Sequence, residues 1–229
     1  MLRHTRCLVL QDPIIDTSPT IREGGTEYGE PRSPQAQRDS PQRSKSCGHG
    51  SGAPTRGRRA RRRYDSEPGG VTYKDAPAVG GLWATPQNWD GESAIVYLYG
   101  GGYVISSPHS RRKLAGHLTN ASRARALIPR YHLAPERPFP SAVEDAAANY
   151  RWLLGKGYRP ERVVIAGDSS AGGLAVATML KLRGDGTSLP AGGVPISPWV
   201  DLACTGETLE TNAAADLTAT KASLMRMAS

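Results

Sequence analysis

The residues best suited to chemistry lie in Val163-Val-Ile-Ala-Gly-Asp-Ser-Ser-Ala-Gly-Gly-Leu174. A buried-type apolar run meets a Gly/Ser turn, and a helix-favouring stretch follows at once. A serine on so sharp a strand-to-helix turn is lifted clear of the sheet, and small neighbours let the backbone pass. The N-terminus of the following helix also brings N–H groups towards any developing oxyanion. This context suits a nucleophilic serine, although the strict G-x-S-x-G spacing is not met. Gly167-Asp-Ser169-Ser-Ala171 has Ala in place of the second Gly, and Asp168-Ser-Ser170-Ala-Gly172 loses the first. Ser169 is the stronger candidate, because Gly167 then stands two residues before it, just after the strand. The competing reading is a phosphate-binding or plain strand-to-helix turn. It lacks a Walker lysine and a G-x-G-x-x-G.

A second element is Val96-Tyr-Leu-Tyr-Gly-Gly-Gly-Tyr-Val104. Three glycines after an apolar strand expose backbone N–H groups that side chains would cover, which is what an oxyanion hole requires. Taken alone the triplet is also a flexible loop. Its pairing with a serine elbow further along is much rarer than either feature by itself. Nothing in the pattern calls for a metal or a cofactor.

These residues need a scaffold. Residues 71–74 and 81–84 read as short strands around a Pro/Gly turn, and 94–98 (AIVYL) as a buried strand. A helix is expected over 111–121, a strand over 124–128 and a Pro-rich loop over 135–140. Ser141 with Glu144 three residues later makes a capping box for a helix running to about Gly155. Residues 163–166 read as a strand, 171–182 as a helix and 194–196 as a strand. Such alternation predicts an α/β protein with a mostly parallel sheet and helices on both faces. Active sites in such sheets lie at the carboxyl ends of the strands.

Three stretches in order, YGGGY, YHLAPERPFPSAVEDA (131–146) and GDSSAGG, resemble the signature regions of the hormone-sensitive-lipase group of α/β-hydrolase esterases. That group has HGGG, DYRLAPExPFPAAxxDA and GDSAGG at similar spacings. The resemblance covers roughly residues 70–205. It implies an α/β-hydrolase fold and hydrolysis of a small-molecule carboxylic ester. Its ungapped match of GDSSAGGLAVAT places the nucleophile at Ser169. By the same implication Gly101 and Gly102, with the N–H of Ser170, form the oxyanion hole, and Glu136 belongs to a structural loop beside the site. Tyr99 stands where the family has a bracing His, Arg130 where it has Asp, and Ala171 adds a Cβ where it has Gly.

The family's triad runs Ser, then Asp or Glu, then His. The five histidines here are His4, His49, His109, His117 and His132, and none follows Ser169. Asp201 in Ser197-Pro-Trp-Val-Asp201 is expected to brace its loop rather than to join a triad. The resemblance therefore implies a fold incomplete at the C-terminus, lacking the triad Asp and His, with an open sheet edge and uncovered apolar surface. His109, His117 and His132 remain weaker candidates for a substitute base. The alternative to an impaired esterase is a catalytically inactive hydrolase-like remnant or binding protein.

Charge divides the chain. Residues 1–63 hold 13 Lys+Arg against 6 Asp+Glu, leaving residues 64–229 only +1 of the chain's +8. The first segment reads as a disordered basic tail, rich in Pro, Gly, Ser and Arg without apolar periodicity. The second reads as a partial α/β-hydrolase domain. Six arginines in residues 56–63 would meet phosphates, but no interleaved aromatics offer a base-stacking platform. A solvated tail is the simpler reading, and no specific nucleic-acid partner is expected. Three scattered cysteines, no signal-peptide core and no transmembrane run point to a cytoplasmic protein.

Overall fold

The computed structural model describes residues 66–216 and 218–228. The expected basic tail over 1–63, with its arginine run, lies outside the described residues.

Six strands form one sheet in the order β1-β2-β4-β3-β5-β6. They are β1 (Val71–Ala76), β2 (Gly81–Pro86), β3 (Ala94–Leu98), β4 (Arg125–Ile128), β5 (Val163–Asp168) and β6 (Gly192–Ile196). β2 pairs antiparallel with β1 and β4, while β4, β3, β5 and β6 run parallel. The helices are α1 (Pro108–Ser122), α2 (Ser141–Gly155), α3 (Ser170–Gly184), α4 (Thr208–Thr211) and α5 (Lys221–Ala228).

Burial explains the strand positions. All five residues of β3 are buried, as a central parallel strand covered on both faces demands. Burial of Val96 or Leu98 contributes about 1.5–3 kcal/mol each. β2 alternates, with Leu82, Ala84 and Pro86 turned inward, the period of a half-covered strand. β6 pairs with β5 alone among the described residues, and its Val194 is 44% exposed. Among the described residues the open edge and uncovered apolar surface expected from sequence are both present.

Two helix starts differ from the sequence reading. α1 begins at Pro108, three residues early. Ser107 caps it, and Ser107 and Ser110 exchange side-chain hydrogen bonds with each other's backbone N–H groups. Pro at the first helical position loses nothing there, because its missing N–H would have had no helical acceptor. α2, in contrast, has no side-chain cap. The expected Ser141/Glu144 box is not formed. The Pro140 carbonyl accepts from both Val143 and Glu144, so the backbone already satisfies donors the box would have served.

The sheet sets the site. β3 and β5 are parallel neighbours, with Leu98 opposite Gly167. Their carboxyl ends therefore present the glycine triplet and the Gly-Asp-Ser-Ser turn side by side. The chain leaves β3 towards β4 on one flank and returns to β5 on the other, the topology that opens a crevice at strand ends.

Candidate active site

Ser169 sits between the last residue of β5 and the first of α3, with φ 56° and ψ −124°. A non-glycine residue held there costs on the order of 1–3 kcal/mol, and such strain persists only where surrounding bonds impose it. Those bonds are present. Ser169 N–H donates to the Ile196 carbonyl at 2.9 Å, and its own carbonyl accepts from Gly172 and Trp199, each at 2.9 Å. The side chain is exposed while Ser170 is fully buried. A Cβ on Gly167 would collide with the Ala171 carbonyl, so the turn closes only with glycine at that position. Ala171, which stands where the family has Gly, is accommodated inside the first turn of α3 and is fully buried.

The glycine triplet packs directly on this turn. A Cβ built on Gly100 would stand 3.0 Å from the Ser169 Cβ. Asp168, only 9% exposed, clamps the two together. Its Oδ1 accepts from the Tyr97 hydroxyl at 2.7 Å and from Gly100 N–H at 2.9 Å. Arg111 lies 3.8 Å from its Oδ2. Burial, and then the Asp168 charge beside it, hold the Tyr97 phenol far above its ordinary range. Tyr97 therefore stays a neutral donor to the carboxylate.

The loop is braced on its other side by aromatic rings. Tyr99 and Tyr131 stack at 4.5 Å, and the Tyr131 hydroxyl donates to the Tyr99 carbonyl. Tyr99, at the position where the resemblance puts a His, is thus packed against Tyr131. The Tyr103 hydroxyl donates to the Ser170 carbonyl at 2.7 Å, tying the loop to α3. Gly102 has φ 63°, and a Cβ there would strike Met227 of α5.

The three N–H groups expected to serve as oxyanion donors differ in their partners. Ser170 N–H, in the first turn of α3, has no helical acceptor. Gly102 N–H has no hydrogen-bond partner among the described residues. Gly101 N–H points at the Ser170 Oγ, 3.3 Å away.

The described histidines lie elsewhere. His132 is bound to Asp145, with 2.7 Å from Nδ1 and 2.8 Å from its N–H to the same oxygen. His117 Nε2 lies 3.2 Å from the Ser66 carbonyl, and His109 is exposed in the first turn of α1. Among the described residues none of the three hydrogen-bonds Ser169. Asp201 does brace its loop: its carboxylate accepts from Ala203 N–H and from both Thr205 donors. Glu136 is exposed in the loop before α2. Among the described residues no three His, Cys, Asp or Glu side chains gather as metal ligands, and no helix is long and apolar enough to cross a membrane.

Known proteins are similar to this chain in sequence and fold. The family defined by the α/β hydrolase fold matches residues 95–229. The chain belongs to that α/β-hydrolase family. An acetyl-hydrolase of Streptomyces hygroscopicus is 47% identical over 162 residues, 69% of this chain and 54% of that protein. Human hormone-sensitive lipase is 33% identical over 116 residues, 48% of this chain and 11% of the lipase. The crystal structure of an esterase from the bacterial hormone-sensitive lipase family superposes with a TM-score of 0.68 at 38% identity. That superposition covers 78% of this chain and 63% of the esterase. This α/β-hydrolase is thus hormone-sensitive-lipase-like, and it spans about half the length of its Streptomyces relative.

Sequence reasoning missed two participants in the site. Asp168 was visible inside the motif but carried no assigned role. Met227 gave no signal at all, because only the fold brings α5 over Gly102.

Proposed function

We infer that this hydrolase is a carboxylic ester hydrolase that uses Ser169 as its nucleophile. The observation that carries the reading is the exposed Ser169 at φ 56°, pinned at the β5–α3 turn against a triplet of glycines. The Ser169 Oγ attacks the ester carbonyl, and its proton passes to a base. The N–H groups of Gly101, Gly102 and Ser170 hold the oxygen that gains charge. Collapse expels the alcohol and leaves an acyl-serine for water to hydrolyse. The names of two relatives, an acetyl-hydrolase and an ethyl acetate hydrolase, support a short acyl group as the substrate of this reading.

No base is assigned to this proton, because among the described residues none of His109, His117 and His132 hydrogen-bonds Ser169. The reaction in this chain is accordingly impaired. Oxyanion hole and binding without a working triad still give about 10³–10⁴-fold over water in a serine protease, and a comparable residue of activity is expected. The test is hydrolysis of p-nitrophenyl butyrate by the chain beside Ser169→Ala. Slow turnover that the substitution abolishes supports the reading. Equal rates in both proteins would overturn it. The second reading, a catalytically silent binding protein, is favoured by one observation: among the described residues no imidazole hydrogen-bonds Ser169.

A further inference from the structure

One hydroxyl in the site has no part in the steps above. Ser170 stands where the hormone-sensitive-lipase pattern has Ala. Its side chain is fully buried, and its Oγ accepts the Gly101 N–H at 3.3 Å. The residue cannot drift away from the loop. Tyr103 holds its carbonyl at 2.7 Å, and Ser169 beside it is pinned by four backbone bonds. One of the three oxyanion donors therefore serves an internal acceptor while the site is empty. At 3.3 Å that bond lies just beyond the usual N–H···O range. It is weak enough to yield to an anionic oxygen, whose hydrogen bonds are shorter and stronger.

We propose that Ser170 is a positioning residue acting through Gly101: its hydroxyl holds the Gly101 N–H in the resting site and competes with the substrate oxyanion for it. The proposal rests on the assignment of Ser169 and the glycine loop to acyl transfer. Donors fixed in advance cost no reorganisation when charge develops, whereas a donor that must first leave a neighbour does. The hydroxyl thus weakens the oxyanion hole by about one neutral hydrogen bond. This corresponds to about two- to tenfold in affinity for a tetrahedral anion.

Butylboronic acid provides the probe, since it adds to a serine hydroxyl and sets a boronate oxygen in the oxyanion position. It is titrated onto the full chain, followed by tryptophan fluorescence, for wild type, Ser169→Ala, Ser170→Ala and Ser170→Cys. Cys keeps the shape but is a weak acceptor, so either Ser170 variant suffices if the other fails to fold. The expected result is binding by wild type, none by Ser169→Ala, and about two- to tenfold tighter binding by the Ser170 variants. The Gly101 amide resonance should also move in the ligand-free Ser170 variants. A merely structural role would weaken binding instead. Wild-type binding with equal or weaker binding by the folded Ser170 variants overturns the role of Ser170 and leaves that of Ser169 standing. No boronate binding by wild type removes the acyl-transfer assignment and the role of Ser170 with it.

Discussion

At the scale of single residues, Asp168 is the piece on which the site geometry turns. One carboxylate oxygen holds the Tyr97 hydroxyl and the Gly100 N–H together. Replacing it by Ala leaves two buried donors unpaired, at about 1–3 kcal/mol each. Asn keeps an acceptor in the same place. Asp168→Ala should therefore lower the urea midpoint markedly, and Asp168→Asn much less. Equal losses in the two variants would show that charge, through Arg111 at 3.8 Å, matters more than the hydrogen bonds. That outcome is not expected, because Arg111 is 46% exposed and such pairs contribute about 0–1 kcal/mol.

At the scale of elements, the two helix starts make opposite predictions. Ser107 caps α1 with both halves of its box formed. Ser107→Ala should cost about 0.5–2 kcal/mol. Ser141 forms no cap on α2, so Ser141→Ala should be close to neutral. Chemical denaturation of the two variants checks both, and a costly Ser141→Ala with a neutral Ser107→Ala would contradict the capping assignment. Here the reach of sequence reasoning is plain. β3 and β5 were legible because their buried apolar runs are short and bounded by glycine. The start of α1 was not, since Ser-Pro-His-Ser reads as loop until its two serines bond each other. Pro140 hid the start of α2, because a carbonyl can take the place of a side-chain cap without any trace in residue type. The Asp168 clamp was also invisible, joining residues 71 and 68 positions apart. Local pattern carries no record of such pairs; only the parallel register of β3 and β5 brings them together.

At the scale of the whole molecule, buried phenols tie stability to alkaline pH. Burial raises Tyr73 and Tyr150 to about 12, and Tyr97 and Tyr131 further still. In the unfolded chain the same groups lose their protons near an ordinary value of 10.0. The unfolded state thus binds fewer protons than the folded one above that pH, and stability falls as pH rises from about 10 through about 12. Phenolate absorbance should rise in two stages, the second coinciding with loss of near-ultraviolet circular dichroism. A single titration near pH 10 with the fold intact would contradict the burial of these rings. Among the described residues the same sheet leaves β6 unpaired on one side, with Val194 44% exposed.

Ser169 as the attacking group is tested by a map of acylation. The chain is incubated with p-nitrophenyl butyrate, quenched in acid, digested and sequenced by mass spectrometry. Because among the described residues no histidine hydrogen-bonds Ser169 to speed deacylation, the acyl-serine should accumulate. A butyryl ester is expected on Ser169, absent from the Ser169→Ala protein and formed faster when imidazole supplies a diffusible base. An unmodified Ser169, with butyryl groups spread over surface lysines at equal levels in both proteins, would contradict it.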